Sequence, residues 1–92
     1  MFLEYQKSPS IQNSIVYRSF GTGQGEHPDG SLVQIPVTPP EGYTILCAFE
    51  VQTFGFVGAG YVYQFSDSEV SAYLYKGGTG EVKISCLFIK KE

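Results

Sequence analysis

The 92 residues make one domain, and a domain this small is marginally stable unless a disulfide framework, a metal or self-association supports it. Six basic residues against nine acidic ones leave a net charge of −3, which argues against nucleic acid, because a polyanion rewards clustered Lys and Arg. Two cysteines can form only one bridge, so the seven Tyr and seven Phe direct attention to a subunit interface or a ligand.

The chain begins MFLEYQKSPS, with neither a basic leader nor a long apolar run, so no signal peptide and no membrane insertion are expected there. Residues 1–12 read as a first edge strand or as an arm lying on a neighbouring subunit. Residues 13–92 read as the folded domain, and their periodicity is two almost throughout. Ser14–Phe20 is the first clear strand, followed by GTGQGEHPDG (Gly21–Gly30). Ser31–Val37 sets Val33, Ile35 and Val37 on one face, with Pro36 marking an edge or an end. PPEG (Pro39–Gly42) suits a type I turn with Pro40 at its second position. Tyr43–Phe54 is the longest strand; strict alternation sends Tyr43, Ile45, Cys47, Phe49 and Val51 one way. FGFVGAG (Phe54–Gly60) reads as bent or bulged. Gly60–Ser66 and Glu69–Lys76 are strands joined by the tight SDSE connection, and Val82–Lys90 closes the chain. KGGTGE (Lys76–Glu81) predicts a glycine-rich hairpin that makes the last two strands antiparallel neighbours. No stretch carries a capped helical stripe. The expected fold is all-β, a single antiparallel β-sandwich or jelly roll.

The residues offer little chemistry. In GTGQGEHPDG, Glu26, His27 and Pro28 stand where a phosphate loop needs Lys and a helix. Glu26, His27 and Asp29 form only a fragment of a metal site. A surface strand connection is the simplest reading, with a ligand-facing loop as the alternative. There is no nucleophile elbow, and a lone histidine makes no triad, so no enzyme, no cofactor and no metal are expected. Cys47 and Cys86 read as small core thiols, with a cross-strand disulfide as the alternative. The tyrosines are the better lead. Tyr61 and Tyr63 alternate on one strand, Tyr73 and Tyr75 on the next, and Asp67 lies between them. Rings that stack on sugar CH groups beside a carboxylate for hydroxyls suit a glycan. Core or intersubunit packing is the competing reading.

PPEGYTILCAFEV (Pro39–Val51), followed by KGGTGEVKISCLFIKK (Lys76–Lys91), sets a proline–glycine turn into a tyrosine-led strand and ends on an alternating strand with a Phe-Ile-Lys tail. This pattern of strands and turns, over residues 31–92, resembles the C-terminal β-sandwich modules of tail-fibre, baseplate and receptor-binding proteins of phages and prophages of gut bacteria. Such modules normally follow a long fibrous region, whereas this sequence starts at Met1, so a short separate virion protein or an excised domain is expected. The resemblance implies a non-enzymatic homotrimer, assembled in the bacterial cytoplasm into a virion. It would bind a host-surface glycan or another virion structural protein. It transfers no binding residues. Two other expectations stand beside it: a monomeric carbohydrate-binding module, and a particle cap or decoration protein that binds no glycan.

Overall fold

The computed structural model describes residues 14–92. The expected N-terminal arm or edge strand, residues 1–12, lies outside them. Seven strands follow in order: β1 (Ile15–Gly21), β2 (Gly25–His27), β3 (Ser31–Pro36), β4 (Tyr43–Phe54), β5 (Ala59–Phe65), β6 (Glu69–Lys76) and β7 (Gly78–Lys90). Every pairing is antiparallel. β7 organises a four-stranded sheet: β1 pairs with Lys83–Ile89, β2 with Gly78–Gly80, and β4 with Glu81–Lys90. β6 is the centre of a three-stranded sheet, with β3 and β5 on its flanks. The two sheets form an all-β sandwich, as the period-two pattern predicts.

The core follows from that alternation. Val82, Ile84, Cys86 and Phe88 of β7 face Val70, Ala72 and Leu74 of β6, with Val33, Ile35 and Val37 filling one side. Most of these side chains are fully buried. Each large one contributes about 1.5–3 kcal/mol relative to exposure. Phe20 closes the β1 end edge-on against Phe88, with ring centroids 6.2 Å apart.

Four sequence expectations need correction. KGGTGE is not a hairpin: β6 and β7 belong to different sheets, and the single residue Gly77 carries the chain across. Only glycine fits there, because a Cβ would overlap the His27 carbonyl. The β4 phase is broken by register shifts between Ile45 and Cys47 and between Ala48 and Glu50. Two bulges therefore turn Ala48 into the core and leave Phe49 exposed, with Cys47 half-buried. The turn into β4 lies one residue later than expected. The Tyr43 N–H donates to the Pro40 carbonyl (3.0 Å), and Gly42 has φ +86° at the third position, as a type II turn requires. Finally, GTGQGEHPDG is not only a loop, since its Gly25–His27 segment is strand β2.

Other readings hold. β3 ends at Pro36 on a sheet edge. SDSE is a tight hairpin in which the Ser66 N–H donates to the Glu69 carbonyl (2.9 Å). Cys86 is buried, and both cysteines are free thiols. Ala48, not Cys47, stands opposite Cys86. Burial, and secondarily the neighbouring Cys47, pushes the Cys86 thiol up to about 11.

Candidate binding face

The β5–β6 hairpin carries the predicted tyrosines on the outer face of the three-stranded sheet. Tyr61 stands directly opposite Tyr73, and their ring centroids lie 5.5 Å apart at 44°. The other two do not join them as a second pair. A register shift between Val62 and Gln64 leaves Tyr63 without a residue opposite it. A second, between Ala59 and Gly60, does the same to Tyr75. Tyr61, Tyr63 and Tyr75 are left 53%, 58% and 60% exposed. Leu32 of β3, opposite Tyr73, extends this apolar surface.

Asp67 is committed elsewhere. Its Oδ1 accepts from the Ile45 N–H (2.6 Å), and the Thr44 hydroxyl donates to both carboxylate oxygens (3.0 and 2.9 Å). The Ile45 amide first, then the Thr44 hydroxyl, holds this carboxyl below the usual aspartate range. Asp67 thus ties the β5–β6 turn of one sheet to the start of β4 in the other. The structure brings Tyr61 and Tyr73 together and leaves Asp67 in a structural role.

The outer face of the four-stranded sheet holds a cluster that sequence reasoning missed. Ser85 is fully buried although it points away from the core. Its hydroxyl lies 3.0 Å from the Tyr17 hydroxyl and donates to Glu50 Oε1 at 3.1 Å. Phe49 stands beside Tyr17, with ring centroids 6.3 Å apart. Three strands therefore meet in one polar knot beneath two half-exposed rings. The β4 bulges create it by moving Phe49 to this face, and nothing local in the sequence announces them.

The GTGQGEHPDG segment packs against the Gly77 crossing and borders a shallow hollow. The His27 ring stacks on Phe56 (6.1 Å, 24°), and its Nε2 lies 3.1 Å from the Gly80 carbonyl. Asp29 Oδ1 accepts from the Gly77 N–H at 2.6 Å. Glu26, His27 and Asp29 therefore do not converge, and no group of three metal-ligating side chains forms among the described residues. No described helix is long and apolar enough to cross a membrane.

The chain matches no protein-family model, and no curated protein or solved structure proves similar to it.

Proposed function

We propose that this chain is a non-enzymatic adhesion and assembly domain of a phage-type virion. It acts as a homotrimeric fibre tip that offers the tyrosine face to a host-surface glycan or another virion protein. The observation that carries this reading is the outer face of the β5–β6 hairpin, where Tyr61, Tyr63 and Tyr75 are each more than half exposed. Rings that cost little conformational entropy to hold and carry a hydroxyl at the rim suit both sugar stacking and subunit contact. The strand-and-turn resemblance over residues 31–92 supplies the virion setting.

Two measurements test it together. The mass in solution is expected to be a multiple of three subunits and to persist on dilution; a monomer refutes the fibre-tip reading. Tyr73→Ala and Tyr75→Ala, with the circular dichroism of the parent, are expected to abolish retention on a glycan panel. If they dissolve the assembly instead, the face is an interface and the particle-cap reading takes over. A monomer that still binds sugar through the Tyr61–Tyr73 pair is a carbohydrate-binding module.

A further inference from the structure

Two crossings between the sheets lie against each other. β2 belongs to the four-stranded sheet and β3 to the three-stranded one, so residues 28–30 carry the chain over, and Gly77 carries it back between β6 and β7. Hydrogen bonds clasp the two. Asp29 Oδ1 accepts from the Gly77 N–H (2.6 Å), and the Gly30 N–H donates to the Leu74 carbonyl (2.7 Å). The Ser31 hydroxyl closes the turn by donating to the Pro28 carbonyl (2.7 Å). Gly30 has φ +73°, a conformation that glycine adopts at no steric cost. The crossing thus asks for a carboxylate at 29 and a glycine at 30, and nowhere else in the sequence does glycine follow Asp or Asn.

That pair carries its own chemistry. The Gly30 amide nitrogen can attack the Asp29 side-chain carboxyl carbon, since glycine has no Cβ to obstruct the approach. A C–N bond forms, the carboxyl C–OH bond breaks and one water leaves, closing a five-membered succinimide. Water then opens the ring. Attack at the former main-chain carbonyl breaks its bond to the Gly30 nitrogen and returns the elements of water as isoaspartate. The main chain now runs through the old side chain and is one methylene longer, and the old main-chain carbonyl is a carboxylate on Cα. In the folded chain both reacting groups are occupied. The nitrogen has to release the Leu74 carbonyl and the carboxylate has to release Gly77 before they can meet.

The surroundings also bar the product. A Cβ added at Gly77 would overlap the His27 carbonyl and stand 2.7 Å from the Pro28 carbonyl carbon and 2.9 Å from the Asp29 nitrogen. Backbone packed that closely has no room for one more main-chain carbon at residue 29. The crossing is also pinned at both ends, by Gly25–His27 on β7 and by Ser31 opposite Leu74 on β6. We propose that Asp29–Gly30 is a self-modification site gated by the fold. It is shut while the two crossings are clasped, it isomerises when they open, and the isomerised chain cannot close them again. Time spent open is thereby converted into permanent loss of foldable chain. This site needs no partner and is independent of the reading of the tyrosine face.

The full chain is aged in buffer and in guanidinium past its unfolding midpoint, at the same pH and temperature. After proteolysis, isoaspartate at residue 29 is counted by enzymatic methylation and placed by electron-transfer fragmentation. It should accumulate at least about tenfold more slowly in buffer, because two hydrogen bonds must break before the ring closes. Comparable rates overturn the proposal. The denatured, aged sample is then returned to buffer and separated by size. The compact fraction should hold Asp29 and the expanded or aggregated fraction isoaspartate; isoaspartate in the compact fraction at its share of the whole overturns the proposal. Asp29→Glu, which could close only a slower six-membered ring, should keep its refolding yield through the same ageing. A yield that falls at the parent's rate overturns isomerisation as the cause. Should Asp29→Glu not fold, the rates and the partition, both measured on the natural sequence, still decide.

Discussion

Asp67 shows how a surface residue can be structural. It is exposed, it sits in a turn, and its sequence context suits a ligand contact, yet its carboxylate is spent on Thr44 and Ile45. Because hydrogen bonds to the charged form lower its folded pKa, the stability it supplies is present above the unfolded value of about 3.9 and lost as pH falls through the folded one. Asp67→Asn is expected to lower Tm at neutral pH and to flatten the loss of Tm on acidification. Thermal melts from pH 7 into the acid range check this, and a parallel downward shift at every pH would show that the charge is immaterial. Its role was not legible in the sequence because Thr44 and Ile45 lie far along the chain and in the other sheet.

At the scale of elements, the sequence reported strands well and connections poorly. Alternation is a local property, so Tyr43–Phe54 and Glu69–Lys76 were legible to the residue. β2 was not, since Gly-Glu-His has no alternation to detect. The glycine run after Lys76 looked like a hairpin because hairpins and sheet crossings ask for the same residue. What separates them is the partner, here the His27 carbonyl against which Gly77 packs. Gly77→Ala must displace β2 from β7 or open the crossing. It is expected to cost about 2–4 kcal/mol in denaturant unfolding, whereas a loss below 0.5 kcal/mol, as at a solvent-exposed turn, would contradict the crossing. The tyrosine face was partly legible for the same reason. Alternation placed Tyr61 and Tyr73, while the bulges that offset Tyr63 and Tyr75 depend on pairing across strands.

For the molecule as a whole, one small core joins the two sheets, and Phe88 is its largest fully buried side chain. Phe88→Ala is expected to lose about 3–5 kcal/mol, as deletion of a buried ring does. In a domain whose total stability is on the order of 5–10 kcal/mol, that is enough to leave a substantial unfolded fraction on mild heating. Far-ultraviolet circular dichroism against temperature measures it. A small loss would mean that the two sheets are held mainly by their crossings.

β7 comes last of the seven strands and is the partner of β1, β2 and β4. On a ribosome, those three strands emerge before the described strand they pair with, and Ile15 waits for Ile89. The three-stranded sheet can assemble earlier, but one of its faces stays uncovered until β7 arrives. Folding of this domain therefore waits for its last strand, a process of high contact order and slow for its size. During that delay the regular, apolar β1 is the segment most in need of a chaperone.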